Sequence, residues 1–385
     1  MLSTHPSYYW RIAGFYFFYF AFVGMFAPYW GLYMKSIGLN ALQIGVLMSV
    51  QPLMRMLSPG LWGGVADRLG NRRLVVQVAA LGSVICYLGL FFTIEYFELL
   101  MVLVCMSFFW SASMPLVEAT TLTYLGKNSS SYGRLRSWGS LGFIITVMSL
   151  GYVFDFIAIR WILWVGLSIQ LGILYFSRQI PATTVIAHHT DHQPILRIVL
   201  QPHVLALFGA CFLMAVAHGP YYTFFSIYLV EHGYAKSSVG ALWTLGVFCE
   251  IVVFFSMPWL MRHYSLPKIL IVSMVLAVIR FLLIAWQVDN LIYLFLAQIL
   301  HAATFGAFHA AAVALIHHYF RGRHQSRGQA LFGSITYGAG GMLGGIGGGP
   351  LWLQWGGSVM YTFSAGVAFV GVLLLLWKLN RLQLE

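Results

Sequence analysis

The stretch GGVADRLGNRR, residues 63–73, places one acid, Asp67, among three arginines in a chain of 385 residues of which only 8% are charged. Apolar segments precede and follow it, so it marks a short polar loop between two of them. Gly63 permits a close helix approach and Gly70 permits a chain reversal, because glycine lacks a side chain. One carboxylate among three guanidinium groups indicates a specific ion pair.

Apolar segments account for most of the chain. Hydrophobic residues make up 60% of it, more than in ordinary soluble domains. About twenty apolar residues in a helix span the roughly 30 Å core of a bilayer. Intervals of this length without Asp, Glu, Lys or Arg are 12–34, 74–94, 137–154, 161–177, 198–230 and 290–320; intervals with one charge are 36–66, 99–126, 237–261 and 269–288. The last interval, 328–377, is divided by GGGPLWLQWGG (347–357). The sequence therefore predicts an all-α integral membrane protein with twelve transmembrane helices.

The formal net charge of +11 does not require a nucleic-acid partner. With both termini placed in the cytoplasm, most Lys and Arg residues fall on the cytoplasmic side of the predicted helices. This distribution is the positive-inside bias that orients membrane proteins. We expect the bilayer, and no nucleic acid, as the partner of this basic chain.

The chain divides into two similar halves. A polar connection with two prolines predicts a linker at 178–200, between six-helix bundles at 1–177 and 201–385. Residues of the first half recur 195 positions later at corresponding helix ends and turns; examples are Gly24, Tyr33, Gly38 and Gly45, which recur as Gly219, Tyr228, Gly233 and Gly240. Two parallel halves around a site at the membrane midplane are typical of transporters.

The opening stretch resembles the signature of the major facilitator superfamily between helices 2 and 3. The matching residues are Gly63, Asp67, Arg68, Gly70, Arg72 and Arg73. The resemblance implies a cytoplasmic latch, in which the acid and the basic residues hold the halves together while the inner side is closed. These residues would then serve gating and not substrate binding. The corresponding stretch of the second half, PWLMRHYSLPK (258–268), contains no acid.

Three further stretches narrow the resemblance. YGRLRSWGSLGF (132–143), residues 217–250 and QILHAATFGAFH (298–309) resemble the permease group that includes bacterial phenylpropionate carriers. That group is similar to lactose-type proton symporters. The resemblance implies the superfamily fold of two pseudo-symmetric six-helix bundles, in the inner membrane of a bacterium with both termini in the cytoplasm.

Charges within the predicted helices are candidate functional residues, because a charge at bilayer depth costs about 2.5–3.5 kcal/mol on insertion scales. Arg55 and Glu250 lie 195 positions apart, so they form either an ion pair or two walls of one cavity. Glu118 and Arg136 match the carboxylate and arginine that bind substrate in lactose-type symporters, and the resemblance implies the same role here. A purely structural bridge between Glu118 and Arg136 is the alternative.

Proton coupling is expected in the second half. A carboxylate or imidazole beside an arginine can gain or lose a proton at a small cost in free energy. The helix 8 carboxylate, helix 9 arginine and helix 10 histidine of lactose-type symporters resemble Glu250, Arg280 and His301, but the carboxylate that follows the histidine there is replaced here by Thr304. We therefore place coupling on Glu250. The candidate helpers are the histidines His218, His301 and His309. His301 and His309 lie about 80° apart on an ideal helix, so both reach one cavity.

These residues predict a secondary transporter. The candidate cavity is slightly positive, which favours an anionic or strongly polar solute, and Tyr221, Tyr222 and Trp243 offer ring faces to it. We expect a monomeric proton symporter that imports an aromatic or other carboxylic acid, driven by the proton gradient and without a cofactor. The alternatives are a symporter of sugars or nucleosides and a proton-driven exporter. No nucleophile–base–acid constellation predicts an enzyme, and HHTDH (188–192) has no defined metal-site spacing.

Overall fold

The computed structural model describes residues 6–126, 131–182 and 195–378. The helices before the linker are α1 (Pro6–Met25, the π-helical turns Phe26–Trp30, and Gly31–Ser36), α2 (Ala41–Leu69), α3 (Arg72–Leu88), α4 (Tyr96–Leu125), α5 (Tyr132–Phe156) and α6 (Ile162–Ser177). The helices after it are α7 (Pro202–Glu231), α8 (Lys236–His263), α9 (Leu266–Trp286), α10 (Leu291–His301, the π-helical turns Ala302–Ala307, and Phe308–Tyr319), α11 (Gln325–Gly333, the π-helical turns Ser334–Gly340, and 341–355) and α12 (357–378).

Most of these helices are long and apolar enough to cross a membrane. Ten helical stretches meet this condition, and the longest, Gln325–Lys378, contains both α11 and α12. Gly356 separates the two with a φ of 78°, inside the break that the sequence predicts at 347–357. With α2 added, the described residues form the twelve predicted helices. The chain is a multi-pass membrane protein.

Two compact units divide the described residues. Of the described residues, 6–39, 53–126 and 131–182 belong to unit 1, and 40–52 and 195–378 belong to unit 2. α6 ends and α7 begins at the two ends of the predicted linker, 178–200. The linker's centre, which includes HHTDH (188–192), lies outside the described residues.

Each unit contains a pair of helices packed backbone against backbone. In unit 1, a Cβ added to Gly24 of α1 would lie 2.8 Å from the Phe143 carbonyl oxygen of α5. In unit 2, a Cβ added to Gly219 of α7 would lie 2.5 Å from the carbonyl carbon of Gly344 in α11. Only glycine permits such an approach. The small residues of GAGGMLGGIGGG (338–349) predict close packing of this helix, and these contacts confirm that the glycine run of α11 is a packing surface.

The other side of the α11 glycine run contacts residues 40–52 of α2, which also belong to unit 2. A Cβ on Gly45 would lie 2.8 Å from the Gly345 carbonyl oxygen. The Ser49 hydroxyl lies 3.1 Å from the Met342 carbonyl oxygen and 2.7 Å from that of Gly45. The backbone of α11 is thus in direct contact with α7 on one side and with α2 on the other.

Turns at corresponding positions of the two halves share an unusual backbone conformation. Gly38 follows α1 with a φ of 90°, and Gly233 follows α7 with a φ of 83°. The two glycines are paired by the 195-residue repeat. Side-chain-bearing residues rarely adopt this conformation, which explains why glycine recurs at both turns.

We expect Gly344→Ala to destabilise the protein. Its Cβ would lie 2.3 Å from the Val216 carbonyl oxygen, so α7 and α11 must separate. Overpacking of this kind costs about 1–3 kcal/mol. Gly347→Ala is the matched control, because a Cβ there meets no atom within 4 Å. Thermal unfolding of the purified protein in detergent measures the difference; equal melting temperatures for the two variants would contradict the close packing.

Candidate functional site

The charged residues of unit 1 form a loose, partly exposed group. Arg136 Nε lies 4.0 Å from Glu118 Oε1, and the two side chains are 33% and 38% exposed. The Tyr132 hydroxyl donates a hydrogen bond of 3.1 Å to the same carboxylate oxygen. The Arg136 guanidinium lies 3.8 Å from the centre of the Phe20 ring. Glu118 and Arg136 are thus paired at long distance. Because both side chains are partly exposed, their polar atoms remain accessible to a solute.

Local sequence explains where these side chains stand. Tyr132 and Arg136 are one helical turn apart at the start of α5, so both reach the same carboxylate. Glu118 lies one turn after Pro115 inside α4. Proline removes a backbone hydrogen bond from the preceding turn, which loosens the helix beside the carboxylate.

Arg55 is exposed and stands apart from this pair. Its guanidinium lies 5.3 Å from the centre of the Trp110 ring, which contributes a modest cation–π attraction. Among the described residues, no carboxylate forms an ion pair with it. Arg55 belongs to unit 1 and Glu250 to unit 2, so their predicted relation remains a prediction.

The predicted coupling residues of unit 2 form a tight, buried group. His301 Nε2 of α10 lies 2.8 Å from Glu250 Oε1 of α8, and their side chains are 5% and 13% exposed. The two helices lie side by side here: a Cβ on Gly306 would lie at an ordinary contact distance of 3.8 Å from Glu250 Cα. A Cβ on Gly246, one turn before Glu250, would lie 3.3 Å from His301 Cδ2.

Arg280 of α9 is fully buried beside this pair. Its Nε donates to the Ala297 carbonyl oxygen at 3.0 Å, and its Nη1 lies 3.1 Å from His218 Nε2. His218 Nδ1 in turn lies 2.9 Å from the Met214 carbonyl oxygen. A guanidinium only donates, so His218 accepts through Nε2 and carries its proton on Nδ1. This histidine therefore orients the arginine as a neutral acceptor.

The aromatic candidates surround the arginine. The Arg280 guanidinium lies 4.1 Å from the centre of the Tyr221 ring, and the ring centres of Tyr221 and Trp243 are 5.1 Å apart. The Trp243 indole donates to Ser226 Oγ at 3.0 Å. Tyr222 is half-buried, whereas Tyr221 and Trp243 are buried. Of the three, Tyr222 has the most accessible ring.

Sequence reasoning missed Gln298, which completes this group. Its Oε1 accepts a 2.9 Å hydrogen bond from the Tyr221 hydroxyl, and the residue is fully buried. Thr304, at the position of the missing carboxylate, donates to the His301 carbonyl oxygen at 3.3 Å. The available signal was a glutamine within the apolar segment that begins α10, because a buried polar side chain needs partners.

His309 lies apart from the Glu250–His301 pair. The Phe305 ring stands between the two histidines, with centre-to-centre distances of 5.5 Å to His301 and 6.3 Å to His309. His309 Nδ1 lies 2.6 Å from the Tyr337 hydroxyl of α11. His309 therefore makes no direct contact with Glu250 in this structure.

The residues of the predicted latch lie at the end of α2 and the start of α3. Gly70 forms the turn with a φ of 62°, as predicted. A Cβ at Gly63 would meet no described atom within 4 Å, so the close helix approach that this glycine permits is not formed in this structure. Arg73 Nη2 donates to the Arg178 carbonyl oxygen at 2.5 Å. Asp67 and Arg68 are exposed, and no described residue forms an ion pair with Asp67.

Relatives with transport functions cover most of the chain. The probable 3-phenylpropionic acid transporter of Escherichia coli (strain K12) is 29% identical over 333 residues, 84% of this chain and 86% of that protein. Maltose permease of Geobacillus stearothermophilus is 24% identical, over 95% of this chain and 93% of the permease.

A crystal structure of the nucleoside transporter NupG superposes with a TM-score of 0.85 at 16% identity, over 97% of this chain and 99% of that chain. This likeness confirms the predicted fold. The profile of the MFS_1 like family matches residues 9–365, nearly the whole chain. The chain belongs to the MFS_1 like family, within the major facilitator superfamily, and is a secondary transporter rather than an enzyme.

Proposed function

We propose that the protein is a proton-coupled symporter that imports a small carboxylic acid, preferably one with an aromatic ring, across a bacterial inner membrane. The observation that carries the proposal is the 2.8 Å contact between Glu250 and His301, buried beside Arg280. A carboxylate held by an imidazole inside a membrane protein is a natural site for a transported proton. We further propose that the protein acts as a monomer with both termini in the cytoplasm.

The preference for an acid has two supports. Unit 2 buries a guanidinium among aromatic rings, a setting suited to an anion attached to a ring. The relative at 29% identity is a probable 3-phenylpropionic acid transporter. Unit 1 has a polar group of its own: Glu118 and Arg136 are partly exposed, and exposed Arg55 adds a positive charge.

Sugars or nucleosides are the second candidate solutes. Maltose permease and NupG resemble nearly the whole chain. The partly exposed Glu118–Arg136 pair and Tyr132 offer both donors and acceptors, which suit the hydroxyl groups of such solutes. A panel that contains 3-phenylpropionate, a disaccharide and a nucleoside separates these classes.

Glu250→Gln is expected to abolish proton-driven accumulation while solute exchange continues. The amide keeps a hydrogen-bonding side chain beside His301 but cannot accept and release a proton. Accumulation under an imposed pH gradient and exchange without a gradient are measured with labelled solute in proteoliposomes.

Glu118→Gln is the matched variant for Glu250→Gln, since Glu118 is also a carboxylate that lies well inside a spanning helix, α4. This variant should need a several-fold higher solute concentration for half-saturation of accumulation and of exchange. At high solute concentration, accumulation should be preserved. Full-rate accumulation by Glu250→Gln would contradict the assignment of coupling to this residue.

The latch residues are proposed to act in gating. Asp67→Asn should slow exchange several-fold without a change in the solute concentration that half-saturates binding, because Asp67 lies at the end of α2 away from the candidate solute contacts. Glu95→Gln is the control, because Glu95 is also an exposed acid of unit 1. Weaker solute binding by Asp67→Asn, at an unchanged maximal rate, would contradict a gating role.

A further inference from the structure

In the cluster around Arg280, the His301 Nδ1 atom has no partner among the described residues, and neither have two buried N–H donors. They are Arg280 Nη2 of α9 and Gln298 Nε2 of α10, and both residues are fully buried. We call these two atoms the donor pair. Buried N–H groups are nearly always hydrogen-bonded, and an unpaired one costs about 1–3 kcal/mol, more for a charged group. Two such groups in one cluster require an explanation.

The two side chains of the donor pair meet at one aromatic ring. The Arg280 guanidinium lies 4.1 Å from the centre of the Tyr221 ring, and Gln298 accepts the hydrogen bond of the Tyr221 hydroxyl. Arg280 Nε is bound to the carbonyl oxygen of Ala297, the neighbour of Gln298. These contacts fix the arginine and leave Nη2 as its unpaired end.

The charge of Arg280 is balanced by no direct carboxylate contact among the described residues of unit 2. Its partners are a carbonyl oxygen, a neutral imidazole and a ring face. Glu250 is the carboxylate of this cluster, and its Oε1 is bound to His301. The unpaired end of a buried guanidinium is well suited to bind the carboxylate of a solute, because the two groups form charge-assisted hydrogen bonds.

We propose that the donor pair binds the carboxylate group of the transported solute. One oxygen accepts from Arg280 Nη2 and the other from Gln298 Nε2. Tyr221 positions both donors, and the more accessible ring of Tyr222 lies beside the aryl group. This proposal rests on the proposed function and assigns the solute's acidic end to unit 2.

The assignment also predicts how many protons accompany each solute molecule. Without solute, Arg280 and an ionised Glu250 give this cluster a net charge of zero. A bound carboxylate adds one negative charge, and one proton transferred to Glu250 restores the balance. Each carboxylate is therefore carried with one proton, and unit 2 avoids a net charge at bilayer depth in either state, which would be costly.

Gln298→Glu tests the donor pair with little change in shape. The substituted side chain keeps an oxygen that accepts from the Tyr221 hydroxyl, but it replaces the donor with an acceptor that competes for Arg280. Binding of 3-phenylpropionate to the purified protein, measured by its effect on the melting temperature, should weaken by at least about 100-fold. Binding of the neutral analogue 3-phenylpropionamide should change far less.

Gln170→Glu is the matched control. Gln170 of α6 is also fully buried, accepts from Ser83 Oγ at 3.3 Å and has an unpaired Nε2, but it lies in unit 1, away from Arg280. The control variant should bind 3-phenylpropionate like the unmodified protein. Equal binding of the acid by Gln298→Glu and Gln170→Glu would overturn the proposal.

A second measurement uses the unmodified protein and so does not depend on the folding of a variant. 3-Phenylpropionate should bind at least about 100-fold more tightly than 3-phenylpropionamide, because the amide presents an N–H group to a donor. Comparable affinities for the acid and the amide would overturn the carboxylate site. Displacement of the acid by millimolar chloride would overturn it too, because it would reveal a general anion site.

The measurements are made without a proton gradient, so they separate this proposal from the proposed function. Tight acid binding without proton movement during transport would refute symport and leave the carboxylate site standing. Transport of a sugar or nucleoside with no binding of either phenylpropionate compound would refute both the acid preference and the carboxylate site.

Discussion

The cost of a charge in the hydrocarbon core governs the arrangement of this protein. Lipid offers no partner to a guanidinium or a carboxylate, so charged side chains of the spanning helices lie against aromatic rings, imidazoles and one another. Unit 2 meets this requirement for Arg280 through His218, Tyr221 and a backbone carbonyl. It meets the requirement for Glu250 through His301. Gly246 of α8 lies close to His301 of α10, where an added Cβ would be 3.3 Å from the imidazole.

The two units handle their charges differently although their helices are related by a repeat. In unit 1, Glu118 and Arg136 are 4.0 Å apart and about one-third exposed. In unit 2, Glu250 and His301 are 2.8 Å apart and almost fully buried. A loosely paired, accessible group suits solute contacts that form and break, whereas a buried pair suits a proton, which needs little space. The two groups therefore differ in exposure and in the closeness of their pairing.

The sequence was sufficient for the fold because its signals are local. Intervals without charge predicted the helices, and the glycine run predicted the close packing that Gly219 and Gly344 display. The site was less predictable because it depends on which side chains meet in space. Gln298 carries no charge and has no motif. The expectation that His301 and His309 share one cavity assumed an ideal helix, but the π-helical turns Ala302–Ala307 lie between them and widen the helix there. Phe305 occupies the space between the two imidazoles.

The most direct test of the central claim is the pH of a lightly buffered medium when 3-phenylpropionate is added to de-energised cells that contain the protein. Symport of one proton with each carboxylate predicts alkalinisation of the medium at a rate that equals the rate of solute entry. Entry of the acid through the protein with no change in external pH, or with acidification, would contradict proton symport.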